Sequence, residues 1–124
     1  MCQEFEIETE NDVIPQIASG FAGGIGNTGA VCGAVVGAVM AIGLKQGRGE
    51  TMEEMMGNLA VVREFRRRFE VEMGDIGCRE LTGIDLSTDE GLKQAMGSDI
   101  VQRVCFPAVA ASYRLVVELL EESK

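Results

Sequence analysis

The feature that most constrains the fold is an uninterrupted apolar stretch from Ala30 to Leu44, made mainly of Gly, Ala and Val. It holds 15 residues, whereas a helix that spans a bilayer needs about 20. We therefore predict a central, buried core helix whose surface is apolar nearly all round. Gly33, Gly37 and Gly43 give this helix flat surfaces against which neighbouring helices can pack closely.

A second strong helical signal begins at Thr51. Thr51, with Glu54 three residues later, matches a capping box, and apolar residues then recur at helical spacing until Gly74. The pattern predicts a long amphipathic helix between these positions. The stripe expected to be buried along it consists of Met52, Met55, Met56, Leu59, Val62, Phe65 and Phe69.

Shorter helical segments account for most of the remaining chain. They are a helix over residues 11–20, a single turn from Cys78 to Thr82, a helix from Ser87 to about Met96 and a last stretch from Ile100 to Glu121. Pro107 must kink or divide the last of these, because a proline inside a helix removes a hydrogen bond. No segment shows the alternation typical of a strand. The expected fold is all-α, with residues 1–124 forming a single compact domain of about five to six helices around the central one.

Charge and composition exclude several classes of function. A net charge of −9 at neutral pH argues against a nucleic-acid surface, which needs clustered Lys and Arg. The basic run Arg66–Arg68 is predicted to be a solvated helix face with an ion pair between Glu64 and Arg68. The absence of histidine excludes Cys-His and Ser-His nucleophile pairs and every histidine ligand.

The cysteines are the residues best able to carry chemistry in this chain. The N-terminal residues show neither a basic region nor a long apolar one, so the protein is expected to be cytoplasmic and not inserted in a membrane. Because that compartment keeps thiols reduced, the four cysteines are not expected to form a permanent disulfide framework. No CxxC motif is present, so the cysteines act together only if the fold brings them together.

Three of the cysteines share a local context. Cys32 follows a glycine-rich loop at the start of the central helix, and Cys78 opens a helical turn. Cys105 lies two residues before Pro107. We expect each to lie at the amino end of a helix, where free N–H groups and the helix dipole lower the pKa of a thiol. Cys32, Cys78 and Cys105 are therefore the candidate catalytic residues and metal ligands. For Cys2, close to the N-terminus, a purely structural role is favoured.

The glycine-rich loop before Cys32 contains the pattern G-x-G-x-x-G at Gly24, Gly26 and Gly29. A dinucleotide site would need a strand before this loop and a β-α-β unit around it, and neither is predicted. We interpret the loop instead as backbone with positive φ that brings amides toward whatever the cysteines hold. Gly24, Gly26 and Gly33 are accordingly the candidate cofactor-binding residues.

Several motifs in this order resemble those of the C-GCAxxG-C-C family, four-cysteine proteins with a proposed redox activity. The motifs are Cys32-Gly33-Ala34-Val35-Val36-Gly37, Cys78-Arg79-Glu80-Leu81-Thr82-Gly83 and Cys105. The likeness runs from about Ile14 to Pro107 and implies cysteine chemistry, with an iron–sulfur centre as an alternative. The chain departs from the family pattern at Cys2, which lies too close to Ser19, and at Phe106, which separates Cys105 from the following proline.

Three functions follow from these observations. The first is a thiol redox protein in which the Cys32 thiolate attacks and Cys78 or Cys105 resolves the intermediate, with Arg79 as a nearby cation and a redox protein as a partner. The second is an iron–sulfur or other metal-binding module with the same three cysteines as ligands and a fourth position left to Cys2, an exogenous ligand or a partner chain. The third is a non-catalytic protein that self-associates through its apolar helices, and a homodimer is the expected assembly.

Overall fold

The computed structural model describes residues 13–122, so the predictions for Cys2 and for the helix start at Asn11 lie outside the described residues. Its helices are α1 (Val13–Ala18), α2 (Ala22–Ile25), α3 (Gly33–Gln46), α4 (Met52–Met73), α5 (Cys78–Thr82), α6 (Asp89–Met96) and α7 (Phe106–Glu122). A 3₁₀ turn (Ser19–Phe21) joins α1 to α2, and a π-helical turn (Val101–Cys105) leads into α7. The predicted all-α fold is confirmed, because 77% of the structure is helical and the described part contains no strand.

Helices α3, α4 and α7 pack against one another and form the hydrophobic core. The buried core residues are Val35, Ala38 and Ile42 of α3, Phe65 and Phe69 of α4, and Ala108, Ala111, Leu115, Val116, Leu119 and Leu120 of α7. The rings of Phe65 and Phe69 lie 5.9 Å apart between centroids. Most of the buried side chains therefore come from α7, and they close the core against the two other helices.

Helix α3 begins later, and is less buried, than its composition predicts. Residues 30–32 are extended rather than helical, because Val31 forms an isolated antiparallel bridge with Gly77. Only one face of α3 is buried, whereas Val39 and Leu44 are 36% and 37% exposed. The predicted core helix is therefore only partly buried, because α4 and α7 cover one face and an adjoining face lines a groove that α1 and α7 also border.

Helix α4 confirms its predicted cap but not the whole of its predicted buried stripe. The Thr51 hydroxyl accepts a hydrogen bond from the Glu54 N–H at 3.1 Å. Phe65 and Phe69 are fully buried. The first half of the stripe, however, is exposed by 66% at Met52, 38% at Met55, 50% at Met56 and 49% at Leu59. The helical pattern identifies the apolar face of α4 correctly, but the described core covers only the second half of that face.

Ion pairs fix the second half of α4 to the end of α7. The predicted pair of Glu64 and Arg68 is present at 2.9 Å. Arg68 also binds Glu122 through two hydrogen bonds of 2.9 and 3.1 Å. Hydrogen bonds from Arg67 and Arg68 lower the pKa of Glu64 to about 2, so this carboxylate is ionised throughout the physiological range.

Pro107 neither divides nor ends the last helix. The Phe106 N–H donates to the Val101 carbonyl five residues earlier, and the chain is right-handed helical on both sides of this turn. An extra residue in the turn accommodates a proline that has no N–H and whose ring would clash with the preceding turn.

Within residues 13–122 no single helix is long and apolar enough to cross a membrane. Only the pair of helices Asp89–Met96 and Val101–Glu122, which are bent by 77° relative to each other, passes that test of length and composition.

Candidate thiol site

The three candidate cysteines line one cavity of about 300 Å³. Cys32 immediately precedes α3, Cys78 is the first residue of α5, and Cys105 is the last residue of the π-helical turn. All three are free thiols. Cys78 is buried, whereas Cys32 and Cys105 are half-buried. The latter two residues are therefore partly accessible from outside the protein.

A short backbone ladder places Cys32 beside Cys78. The Cys32 N–H donates to the Ile76 carbonyl at 2.7 Å, and the Cys78 N–H donates to the Ala30 carbonyl at 2.7 Å. These bonds flank the bridge between Val31 and Gly77. Because side chains alternate along extended backbone, the residues that follow the bridged pair point to the same face. Cys32 and Cys78 are thus diagonal neighbours, a relation that corresponds to about 7–8 Å between Cα atoms in a regular ladder.

The glycine-rich loop forms a left-handed turn against Cys78. Every residue from Gly23 to Asn27 has positive φ, as predicted for the glycines of this loop. A methyl group added at Gly24 would lie 2.7 Å from the Cys78 Cβ and 2.7 Å from the Ala30 nitrogen. The absence of a side chain at Gly24 therefore allows the turn to pack directly on the segment that carries Cys78.

The structure distributes the candidate cofactor-binding glycines differently from the prediction. Gly24 and Gly33 line the cysteine cavity. Gly26 is not among the described residues of its wall, and its N–H donates to the Gly20 carbonyl at 2.8 Å. The Gly26 N–H is therefore already hydrogen-bonded within the turn and is not free to bind a group held by the cysteines.

Cys105 does not lie at the amino end of a helix. It closes the π-helical turn, and the helix continues directly into α7. The helical-turn position predicted for Cys78 is present, but α5 has only five residues and a correspondingly weak dipole. Of the three cysteines, only Cys32 lies at the amino end of a helix of substantial length, as the N-cap of the 14-residue α3.

The electrostatic environment opposes thiolate formation at two of the cysteines. Burial raises the pKa of the Cys78 thiol, and negative charge on Cys32, Cys105 and Glu80 raises it further. Burial also raises the pKa of Cys105, with an added contribution from charge on Cys32. The predicted lowering of the pKa is therefore wrong for Cys78 and Cys105, because desolvation disfavours the charged form.

No cation compensates for this desolvation along the described cavity wall. Arg79, the predicted partner of a thiolate, has a side chain that is 62% exposed and faces Asp85 at 3.8 Å. Arg79 is not among the described residues of the cavity wall. Apart from the cysteines, these wall residues are uncharged, and Asn27 and Thr82 are the polar ones among them. The Thr82 hydroxyl donates to the Cys78 carbonyl at 2.8 Å.

Sequence reasoning missed the apolar wall of the cavity. It is formed by Ile84, Leu86, Ala95, Ile100, Val101 and Val109. These residues come from α7, the π-helical turn and the segments around α6. Their spacing resembles that of ordinary core residues, so only the tertiary fold identifies them as part of the site.

The described side chains do not form a ready ligand set for a metal ion. Within residues 13–122, no three Cys, Asp or Glu side chains are grouped so that they could hold one ion. The three cysteines share a cavity without being arranged around a common point.

The raised pKa values predict a distinct pH dependence of alkylation. We expect iodoacetamide to modify Cys78 and Cys105 in the native protein only slowly until the pH exceeds 9.0, which is the ordinary pKa of a cysteine thiol. In urea, modification should accelerate near that ordinary value. Folding raises the pKa values of both thiols, and this has a consequence for stability. The protonated thiols contribute fully to the free energy of unfolding below their pKa in the unfolded chain, and this contribution is lost as the pH rises through their pKa in the folded protein. Mass spectrometry of peptides 69–79 and 104–114 measures both sites; equal native and unfolded profiles would contradict the assignment.

Comparisons with known proteins add one finding. A model of the family described as "Putative redox-active protein (C_GCAxxG_C_C)" matches residues 1–119 of the chain. No curated protein and no solved structure gives a significant match.

Proposed function

Since this chain belongs to the C_GCAxxG_C_C family, we propose that it exchanges thiols and disulfides through its cavity cysteines. The observation that carries the proposal is that Cys32, Cys78 and Cys105 line the same cavity as free thiols. No other described residue of this wall is ionisable, so the wall offers no competing acid or base. The cysteines are therefore the reactive groups that this cavity provides.

Cys32 is proposed as the attacking thiol. It is half-buried, whereas Cys78 is only 8% exposed. Negative charge on Cys32 raises the pKa of both other cysteines, so it acts on each of them across the cavity. Cys32 is also the N-cap residue of α3, so the unpaired N–H groups of the first turn of this helix lie close to it. These properties favour Cys32 as the thiol that meets an external disulfide first.

The proposed reaction consists of two exchanges. The Cys32 thiolate attacks one sulfur of an external disulfide, a mixed disulfide forms, and the displaced thiolate takes up a proton. The thiolate of Cys78 or Cys105 then attacks the Cys32 sulfur and releases the second external thiol. Overall, two protein thiols become one disulfide while the external disulfide is reduced to two thiols. Burial slows the second exchange, because a resolving thiol with a raised pKa is mostly protonated at neutral pH.

Thiol counting separates this function from a metal-binding one. We expect the anaerobically purified wild-type protein to be colourless. The thiols are then counted in a Cys2→Ser background, which leaves the three cavity cysteines. Exposure to oxidised glutathione should remove two titratable thiols and leave one, because one intramolecular disulfide forms. Dithiothreitol should restore all three. Visible absorbance that disappears together with bound iron, or no loss of thiols, would contradict the proposal.

A further inference from the structure

A second cavity, of about 460 Å³, lies between α1, α3 and α7; we refer to it as the α3 groove. Small residues of α3, among them Gly37, Ala38 and Ala41, form part of its wall. None of the described residues that line it carries a charge. Its volume falls within the range of small-molecule sites, and its wall is almost entirely apolar.

One polar group in the α3 groove is buried without a partner. Ser112 lines the groove and is only 3% exposed, and its hydroxyl makes no hydrogen bond with the described residues. A serine within a helix commonly bonds the carbonyl four residues earlier, and Ser112 makes no such bond. In the described conformation this oxygen is buried beside the groove, so rotation of the Ser112 side chain is what presents its hydroxyl, which can both donate and accept, to a molecule in the groove.

We propose that the α3 groove binds a neutral, mainly apolar small molecule whose single hydroxyl or carbonyl group bonds to Ser112. The ligand is neutral because the described wall has no charge to balance an ion, and burying an unpaired ion is costly. Its apolar body lies against the small residues of α3, where the missing side chains leave space. This inference goes beyond thiol exchange, although Gly33, Ala34 and Val109 line both cavities.

A pair of probes that differ by one hydroxyl tests the role of Ser112. We expect the full chain at neutral pH to bind 1-naphthol about 3- to 10-fold more tightly than naphthalene, the factor that corresponds to one neutral hydrogen bond. In Ser112→Ala the two affinities should become equal, with that for naphthalene unchanged or slightly higher. Fluorescence titration measures both. An unchanged ratio in Ser112→Ala, or no binding of either probe to the wild type, would overturn the proposal.

A second variant tests the location of the ligand. A Cβ at Gly37 would meet nothing within 4 Å, so Gly37→Leu should extend into the α3 groove without disturbing the backbone. We expect it to abolish binding of both probes. Leu59→Ala, which alters the separate exposed face of α4, is the matched control and should leave binding unchanged.

Two further measurements test whether a second copy of the chain fills the α3 groove and whether the probes bind in the thiol cavity instead. Probe affinity that falls as protein concentration rises would show that a second copy of the chain fills the groove, which overturns the proposal. Cys32→Ser should bind both probes as the wild type does. Loss of thiol exchange in that variant with retained probe binding separates the two functions, whereas loss of probe binding would place the ligand in the thiol cavity and overturn the assignment to the α3 groove.

Discussion

Cys32→Ser, made in the Cys2→Ser background, is expected to abolish the loss of thiols that oxidised glutathione causes. Both remaining thiols should stay titratable, because the thiol proposed to attack the external disulfide is gone and burial keeps the pKa values of the other two raised. The substitution replaces a half-buried sulfur by a slightly smaller oxygen, so the helical fold should persist. Thiol titration gives the result, and circular dichroism verifies that the variant is folded.

The matched variants at the other two positions identify the resolving thiol. Of Cys78→Ser and Cys105→Ser, one should retain the loss of two thiols and the other should stop at a mixed disulfide with glutathione. That adduct adds a defined mass to the Cys32 peptide and is detected by mass spectrometry. If Cys32→Ser still loses two thiols, Cys78 and Cys105 form the disulfide between themselves, and the attacking role of Cys32 is wrong.

The second large effect, a loss of stability, is expected for Gly24→Ala, because the added methyl group would contact both the backbone of Ala30 and the side chain of Cys78. Alanine in the left-handed region costs about 1–2 kcal/mol. At Gly24 the methyl group would also lie 2.7 Å from the Ala30 nitrogen and from the Cys78 Cβ. We expect Gly24→Ala to lower the free energy of unfolding by about 3 kcal/mol or more, because overpacking adds about 1–3 kcal/mol to the backbone term.

Gly26→Ala is the matched control for this prediction. Gly26 has nearly the same φ, 65° against 72°, but a Cβ there would meet nothing within 4 Å. It should therefore lose only about 1–2 kcal/mol, the cost of the left-handed backbone. Urea unfolding measures both variants. Equal losses would show that the left-handed turn does not pack closely against Cys78.

Local signals in the sequence were enough to predict features that depend on neighbouring residues. The cap at Thr51, the ion pair of Glu64 with Arg68 and the positive φ of the glycine-rich loop are all present in the structure. Each depends on residues within one or two turns of each other, where spacing determines geometry. The sequence also predicted the helical turn that begins at Cys78.

Features that depend on tertiary packing were not predictable in the same way. Periodicity shows that Met52 and Met56 lie on the apolar face of α4, but not that the described core leaves this part of the face uncovered. Pro107 was expected to kink or divide a helix, and nothing in the local sequence predicts the π-helical turn that precedes it. The raised pKa of Cys105 follows from burial, which a helix-end argument does not contain.

Disulfide mapping of the oxidised protein tests the central claim most directly. In the Cys2→Ser background, trypsin places Cys32 in peptide 1–45, Cys78 in peptide 69–79 and Cys105 in peptide 104–114. Oxidised monomer should yield peptide 1–45 joined to one of the two other peptides, because Cys32 meets its partner inside the shared cavity. Oxidation that produces only disulfides between chains, or only a link between peptides 69–79 and 104–114, would contradict the account.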